Sequence, residues 1–226
     1  MSKTITTLAI GDSHFPFHNR KTIAAIIYIA RKIKPQRIIQ LGDLYDLYSY
    51  SRFAKSANIT TPAEECKRGR RDAELFWKEI QQASPRADCY QILGNHDARF
   101  SKQVMDKIPE AEHLLKGIQS LWKFDGVDST TSDRDELILD GVCYMHGYRK
   151  FGDHMRHNGM NTVCGHLHKG GVVYSRLGNK TIWELNAGFC ADENSIPMSY
   201  SKQRRFSQHT QGVGIIDYYG PRFVAL

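Results

Sequence analysis

Residues 37–46 read RIIQLGDLYD, an apolar run that stops at Gly42-Asp43 and is followed closely by Asp46. The run predicts a short strand over Arg37–Leu41. An apolar run that ends in a polar block occurs at four more places in the chain. The five blocks are Asp12-Ser13-His14, Gly42–Asp46, Gly94-Asn95-His96-Asp97, His146-Gly147 and Gly165–His168. Since strand ends of α/β sheets converge on one edge, we expect the five blocks to meet there.

The elements around these blocks divide the chain into two halves. The first half predicts a β-α-β-α-β order, and the second half predicts mostly strands and hairpins. The predicted strands of the first half are Thr4–Ile10, Arg37–Leu41 and Asp88–Leu93, and its helices are Arg20–Lys34, Pro62–Ala83 and Phe100–Lys116, the last interrupted at Pro109. The second half contains a short helix at Phe151–Asn158, a strand at Thr162–Cys164 and hairpins around Asp140-Gly141, Leu177–Asn179 and Gly220-Pro221. A long polar loop is predicted over Ala191–Gln211, and residues 1–226 are interpreted as a single domain.

Composition narrows the class of protein. The chain has 226 residues, 41% hydrophobic and 24% charged, which is typical of a globular protein. The amino-terminal residues do not resemble a signal peptide, and we expect no membrane-spanning segment. The five cysteines form no Cys-x-x-Cys pair, so we expect no disulfide-linked partner and a reducing, cytoplasmic location. The formal net charge of +7 favours an anionic partner such as nucleic acid, although a merely basic protein has the same charge.

The side chains in the five blocks suit a pair of metal ions. Carboxylates, imidazoles and an amide oxygen are ligands for Mn²⁺ above all, and also for Fe, Ni²⁺ or Zn²⁺. Two divalent ions about 3.5–4 Å apart can share a carboxylate and hold an attacking oxygen and a phosphoryl oxygen together. Each block alone is weak evidence, because Gly-Asp or His-x-His is usually a simple polar turn. Their joint occurrence at five strand ends indicates a metal-dependent phosphoesterase.

In this order, DxH, GDxxD, GNHD, H and GHxH, the blocks resemble the calcineurin-like metallophosphoesterase superfamily, from Asp12 to His168. The resemblance implies an α/β fold, a four-layer αββα sandwich of two mixed sheets flanked by helices. It also implies that a hydroxide bridging the two metals attacks phosphorus. The metal ligands it implies are Asp12, His14 and His168 for one ion, Asn95, His146 and His166 for the other, and Asp43 as the bridge. His96 would protonate the leaving group or stabilise charge, and Asp46 would orient His96 through a hydrogen bond.

One departure from the superfamily narrows the subgroup. Its protein phosphatases carry Asp-Arg-Gly after the bridging aspartate, where this chain has Asp46-Leu47-Tyr48. The compact Gly-His-x-His ending is instead similar to the phosphodiesterase, nuclease and small bacterial or phage phosphatase branches. A dedicated protein phosphatase is therefore disfavoured.

Several basic residues are candidates for substrate contact. Arg149, just after His146, is a candidate phosphate grip in place of the missing arginine. Arg204 and Arg205 lie near Tyr200 and Phe206, and basic residues among aromatics suit single-stranded nucleic acid. A basic cluster at Lys67–Arg71 is either a second contact or a solvated helix face. Tyr45, Tyr48, Tyr50 and Phe53 either line the pocket mouth or belong to the core.

These observations favour a hydrolase of phosphate mono- or diesters, with nucleic acid or nucleotides as the preferred substrate. The alternatives are a broad-specificity or protein phosphatase, and a catalytically inactive metal-binding scaffold. The scaffold is disfavoured because every position of the pattern is filled, including His96.

Overall fold

The computed structural model describes residues 5–52, 60–111, 119–198 and 209–226. Its helices are α1 (Arg20–Ile33), α2 (Pro62–Ala83), α3 (Arg99–Lys107) and α4 (Asp153–Asn158). Its strands are β1 (Thr7–Ile10), β2 (Arg37–Gln40), β3 (Asp88–Gln91), β4 (Val127–Ser129), β5 (Leu137–Leu139), β6 (Val142–Met145), β7 (Asn161–Cys164), β8 (Gly170–Leu177), β9 (Lys180–Ala187), β10 (Gly212–Asp217) and β11 (Gly220–Ala225). Short 3₁₀ turns lie at Tyr48–Tyr50, Pro109–Ala111 and Gln119–Trp122.

The strands form two mixed sheets. The first has the order β11-β10-β1-β2-β3-β4, and the second has the order β5-β6-β7-β9-β8. In the first sheet β1 to β4 are parallel, while β10 runs antiparallel to β1 and β11 runs antiparallel to β10. In the second sheet β6, β7 and β9 are parallel, with β5 and β8 antiparallel at its edges. The parallel strands bring their carboxyl ends to a common edge.

Neighbouring residues of β1 and β2 belong to two different cores. Leu8 and Ile38 pack with the helices on the outer face of the first sheet, in the cluster that contains Phe76. Ala9 and Ile39 point the other way and pack against the second sheet. Successive side chains of a strand face opposite sides, so strands buried on both sides read as continuous apolar runs. This is why the runs before the blocks do not alternate with polar residues.

The helices complete the outer layers. The Asn19 side chain caps α1 by accepting hydrogen bonds from the backbone N–H groups of Lys21 and Thr22. Thr61 caps α2 in the same way, ahead of Pro62 at the first helical position. Helices α1 and α2 pack together against the first sheet, whereas α4 contacts β7 and β9 of the second sheet. The predicted αββα sandwich is confirmed.

Two sequence predictions differ from the structure, and a third agrees with it in part. Strand β4 was not predicted, because three residues show no periodicity, and its place is set by pairing with β3. Helix α3 ends at Lys107 and a 3₁₀ turn follows at Pro109–Ala111, which agrees with the predicted interruption at Pro109, while residues 112–116 of the prediction lie outside the described residues. The third hairpin turns at Tyr218-Tyr219, and Gly220-Pro221 already pairs with β10. The Asp217 carboxylate closes this turn by accepting from the Tyr219 N–H, and β11 is an edge strand, where proline is tolerated.

None of the helices in the described ranges has an apolar stretch long enough to cross a bilayer. The predicted cytoplasmic location stays a prediction. Cys89, Cys143 and Cys164 lie buried in strands, as small core residues.

Candidate metal centre

All five blocks lie at the carboxyl ends of strands, as predicted: they follow β1, β2, β3, β6 and β7. The main chain joins them across the two sheets. The Asp12 carboxylate accepts the backbone N–H of His166 at 2.9 Å, and the His14 N–H donates to the Asp43 carbonyl at 2.9 Å. The His96 N–H donates to Asp43 Oδ1 at 2.8 Å. Hydrogen bonds to the main chain therefore join residues that are far apart in sequence into one site.

The side chains of these blocks form two adjoining groups that could each hold a cation. In the first, ligand atoms of Asp12, His14 and His168 lie within 4.8 Å of one another. In the second, ligand atoms of Asp43, His146 and His166 do the same. The Asn95 side-chain oxygen joins the second group, 2.9 Å from His146 Nε2. All seven predicted metal ligands are thus brought together.

The Asp43 carboxylate lies between the two groups. Its Oδ2 is 4.0 Å from His14 Nε2 of the first group and 3.4 Å from His146 Nε2 of the second. Its Oδ1 is already used by the His96 N–H. Oδ2 therefore faces both groups, and the role of Asp43 as a bridging ligand stays a prediction.

The hydrogen bonds of the imidazoles indicate which nitrogens are free to bind a cation. His14 Nδ1 donates to Asp46 Oδ2 at 3.0 Å, and His146 Nδ1 donates to the Leu41 carbonyl at 2.9 Å. In the neutral form of these rings, which is the form that binds a metal ion, the Nε2 lone pairs then face inward, toward other acceptors such as Asp43. Such a concentration of lone pairs is satisfied by a metal cation, and outer hydrogen bonds of this kind commonly orient metal-binding histidines.

The pKa values of the side chains reflect the same crowding of charge. Burial opposes ionisation of Asp43, but His146 and His96 outweigh it and hold the pKa of this carboxyl well below its usual range. Burial also disfavours a charged His146, yet Asp43 raises its pKa to about 10. Burial and the neighbouring His146 lower the pKa of His166 to about 4. The centre is built around an ionised Asp43.

The backbone is strained at five of the seven predicted ligands. Asp12, His14, Asp43, His166 and His168 have φ between 48° and 65°, in the left-handed region that non-glycine residues rarely adopt. Such strain costs on the order of 1–3 kcal/mol per residue and clusters at functional sites. The fold holds these side chains inward at a cost in stability.

Two glycines of the blocks are required by close packing. A Cβ on Gly94 would overlap the Asp43 carboxylate, and a Cβ on Gly42 would lie 2.5 Å from His146 Nδ1. Gly42 also has φ +100°, which favours glycine over other residues. Each glycine therefore makes room for a predicted ligand of another block, Gly94 for Asp43 and Gly42 for His146.

His96 lies beside the two groups, with Nε2 3.8 Å from Asp43 Oδ2, and ligand atoms of His96, His14 and Asp43 also lie within 4.8 Å of one another. Its Nδ1 donates to the main-chain carbonyl of Asp46 at 3.1 Å, and the Asp46 carboxylate is 3.7 Å away. That carboxylate makes its hydrogen bond with His14 instead. Asp46 therefore orients His96 chiefly through its backbone, and its side chain orients a predicted metal ligand.

Asp97 holds the loops around the centre. Its carboxylate accepts the backbone N–H groups of Gly94, Leu44 and Tyr45 at 2.8 to 3.2 Å. Burial, and next the charge of Asp43, raise the pKa of Asp97 to about 6. Asp97 thus joins the GD and GNHD blocks through hydrogen bonds to their main chains.

Sequence reasoning missed Arg99. Its Nη1 donates to the Asp46 carbonyl at 2.9 Å and lies 3.2 Å from Asp46 Oδ1, and its Nη2 lies 2.8 Å from His96 Nε2. The signal was its position three residues after His96, at the start of a helix, where side chains three apart are neighbours. Arg99 and Asn95 both line a cavity of about 420 Å³.

A separate group of side chains, His154, Cys164 and Glu184, also has the composition of a metal site. Its ligand atoms already form hydrogen bonds within the fold. The Glu184 carboxylate accepts the N–H groups of Gly152, His154 and Met155, and His154 Nε2 accepts those of Tyr148 and Arg149. Burial, then the charge of Glu184, raise the pKa of the Cys164 thiol well above its usual range. We interpret this group as a structural hydrogen-bond network that holds the loop after His146 in place.

The predicted substrate residues have different surroundings. Arg149 stacks its guanidinium on Tyr148 and places Nη2 3.2 Å from His157, so its contact with substrate stays a prediction. Arg204 and Arg205 lie outside the described residues, as does Phe53.

Some residues of the basic cluster of α2, and some of the tyrosines that follow the Gly42–Asp46 block, make contacts within the fold. Arg70 donates to the carbonyls of Leu121 and Lys123 and stacks on Phe124. Because Arg70 already makes these contacts within the fold, they favour the interpretation of the α2 cluster as a helix surface over that of a substrate contact. Tyr45 is a core residue whose hydroxyl donates to Leu121, whereas Tyr50 lines the cavity beside Asn95. A larger cavity, about 750 Å³, lies beside Trp77 and shares no lining residue with the metal-ligand groups.

Comparison with known proteins gives a consistent result. The sequence model of the calcineurin-like phosphoesterase family matches residues 5–170. The Gene 54 protein of Mycobacterium phage L5 is 27% identical over 211 residues, covering 83% of this chain and 79% of the phage protein. The Gene 54 protein of Mycobacterium phage D29 is 26% identical over 206 residues, with the same coverage.

Solved structures also match, at lower sequence identity. YfcE, a phosphoesterase from E. coli, is 13% identical with a TM-score of 0.42, over 95% of this chain and 89% of YfcE. A Vps29 mutant from Entamoeba histolytica is 12% identical with a TM-score of 0.45, over 98% of both chains. TT1561 of Thermus thermophilus is 13% identical with a TM-score of 0.43, over 99% of both chains.

Proposed function

The chain belongs to the calcineurin-like phosphoesterase family and is a metal-dependent phosphoesterase, and from this premise we propose that it hydrolyses phosphate mono- or diesters with two divalent ions. The observation that carries the proposal is the position of Asp43 Oδ2 between two groups of inward-facing imidazoles. We assign Asp12, His14 and His168 to one ion, Asn95, His146 and His166 to the other, and Asp43 to both. When bound, the two ions would supply the activated water and polarise the phosphoryl oxygen.

The remaining residues of the centre act on substrate or on the ligands. We propose that His96, beside Asp43 but outside the ligand set, protonates the leaving-group oxygen or stabilises its charge. The Asp46 carboxylate holds the His14 ring so that Nε2 faces the metal, and the Leu41 carbonyl does the same for His146. Mn²⁺ suits this set of carboxylate, amide and imidazole ligands, as Fe, Ni²⁺ and Zn²⁺ also do.

The first test is the metal content. We expect two divalent ions per chain after loading with Mn²⁺, and we expect chelation to abolish hydrolysis of p-nitrophenyl phosphate and added Mn²⁺ to restore it. Elemental analysis measures the stoichiometry, and anomalous scattering from crystals locates the ions. The Asp43→Asn variant should lose affinity at both positions, because one residue serves both groups. Binding of a single ion by the parent protein, or loss of only one ion in the variant, would contradict the shared ligand.

We propose nucleic acid or nucleotides as the substrate class, supported by the net charge of +7 and by Arg204 and Arg205 among aromatic residues. The described residues on one side of that segment return to the metal centre: the His209 ring lies 4.9 Å from the His168 ring, and the Thr210 N–H donates to the His168 carbonyl. A substrate held at the metals is therefore close to where this segment rejoins the fold.

This substrate class predicts a salt dependence. Oligonucleotide binding should weaken linearly with the logarithm of salt concentration, with a slope of about −0.7 per phosphate contact for a single strand. Changing Arg204 and Arg205 together to Ala should flatten the slope and raise KM for oligonucleotides, while hydrolysis of p-nitrophenyl phosphate stays near the parent rate. The matched control is the Arg31→Ala, Arg86→Ala pair on exposed positions. Equal salt slopes for both pairs would leave a broad-specificity phosphatase as the better description.

A further inference from the structure

The centre has an arginine in a place that the sequence pattern did not indicate. The superfamily position that holds an arginine in protein phosphatases is Leu47 here, and Leu47 is buried. Arg99 instead reaches the centre from α3, and its side chain is 19% exposed. Its guanidinium is one hydrogen bond from His96 Nε2, which is itself 3.8 Å from Asp43 Oδ2. A fixed positive charge therefore lies beside the metal-ligand groups, separated from Asp43 by His96.

The hydrogen bonds of Arg99 leave donors free. A guanidinium has five N–H groups. Nη1 is used by the carbonyl and carboxylate of Asp46, and one N–H of Nη2 is used by His96. Within the described part of the chain, no acceptor is recorded for Nε or for the second N–H of Nη2. Arg99 lines the 420 Å³ cavity together with Asn95, one of the proposed metal ligands.

The Arg99–His96 contact also has a chemical consequence. His96 Nδ1 donates to the Asp46 carbonyl, so in the neutral ring Nε2 accepts from Arg99. While this contact persists, Nε2 cannot meet a substrate oxygen. A phosphate oxygen placed between the two groups would accept from the guanidinium and bring His96 Nε2 to the ester. Arginine suits this task because its planar fork matches phosphate oxygens.

We propose that Arg99 is a substrate-binding residue that donates hydrogen bonds to a phosphate oxygen of the ester, replacing its contact with His96, and that the adjoining cavity receives the leaving group. This inference rests on the proposed phosphoesterase function for the identity of the ligand. The cavity is also lined by Arg52, Lys102, Tyr50 and Asp106, so its lining is partly aromatic and carries more positive than negative side chains. A cavity of about 420 Å³ has room for a leaving group larger than a nitrophenol, and its lining suits one that combines a polar part with a flat one, as a nucleoside does.

The test uses inorganic phosphate, the common product of monoester hydrolysis, as the probe. In Arg99→Ala the Kd of phosphate for the Mn²⁺-loaded protein, measured by calorimetry, should rise about 10- to 100-fold, the loss expected for a charge-assisted hydrogen bond. Arg99→Lys keeps the charge without the fork and should fall between the parent and the Ala variant. Arg31→Ala, an exposed arginine on α1, is the matched control and should bind phosphate as the parent does.

Two outcomes would overturn the inference. If Arg99→Ala retains its metal and binds phosphate with the parent Kd while kcat falls, Arg99 only positions His96 and Asp46. If the variant loses metal, Arg99 supports the metal ligands rather than binding phosphate itself. Failure of the proposed function would give a different result. A parent protein that binds phosphate through Arg99 but hydrolyses no ester with any metal would refute the activity, while the Arg99 contact would still hold.

Discussion

The His96→Ala variant is expected to turn over phosphate esters about 10²- to 10⁴-fold more slowly than the parent, the usual contribution of a general acid. His96 lies beside Asp43 and hydrogen-bonds through Nδ1 to the Asp46 carbonyl. It belongs to neither of the two assigned metal-ligand groups, although its ligand atom also lies within 4.8 Å of those of His14 and Asp43. Both ions should therefore stay bound in the variant. The measurement is kcat at saturating substrate, with metal content determined on the same samples.

The leaving group decides which role His96 has. A general acid matters less when the leaving group is already acidic, so p-nitrophenyl phosphate should lose less rate than phenyl phosphate or an alkyl phosphate. An equal loss across the series would assign His96 to charge stabilisation instead. Loss of a metal ion would make His96 a ligand and refute the assignment. His18→Asn is the matched control, because His18 lies outside the metal-ligand groups, 4.0 Å from Asp72.

The Glu184→Ala variant is expected to lower the free energy of unfolding by about 3–5 kcal/mol, the cost of leaving buried donors without their charged partner. Glu184 is fully buried on β9, and its carboxylate accepts three backbone N–H groups at the start of α4. It also lies 3.2 Å from His154 Nδ1. Removing the carboxylate leaves these donors without an acceptor. It also loosens His154, which holds the loop that carries Tyr148 and Arg149.

The pH dependence of this effect has a definite sign. Burial raises the pKa of Glu184, but the hydrogen bonds from His154, Gly152 and Met155 outweigh it and leave the pKa below its usual value. A group with a lowered native pKa stabilises the fold above its unfolded pKa, and that contribution is lost as the pH falls through the native value. The difference between parent and variant should therefore be full at neutral pH and shrink in acid.

Chemical denaturation of metal-free protein measures this difference without a contribution from metal binding. Glu184→Gln keeps the size but places an amide donor against backbone donors, so it should also destabilise the protein. Glu79→Gln, on the exposed face of α2, is the control and should change stability by less than about 0.5 kcal/mol. A Glu184→Ala variant as stable as this control would show that water or neighbouring residues replace the carboxylate.

Much of the fold and of the candidate site was predictable because the signals are local. Each ligand block is a short polar turn that directly follows an apolar strand, so periodicity and residue type identify both within a few positions. The glycines of GD and GNHD are also visible in sequence, and their cause is the close approach of Gly42 to His146 and of Gly94 to Asp43. The order of the blocks therefore predicted the carboxyl edge at which the ligands meet.

Contacts between separate elements were decided by the tertiary structure alone. The Asp46 carboxylate pairs with His14 rather than His96, Arg99 reaches His96 from α3, and Glu184 on β9 supports α4. Strand β4 forms only because β3 offers it a partner. Sequence periodicity specifies which face of an element is buried, but not which of several nearby polar groups a buried side chain will reach. That choice depends on strand register and helix position to within about the length of one hydrogen bond.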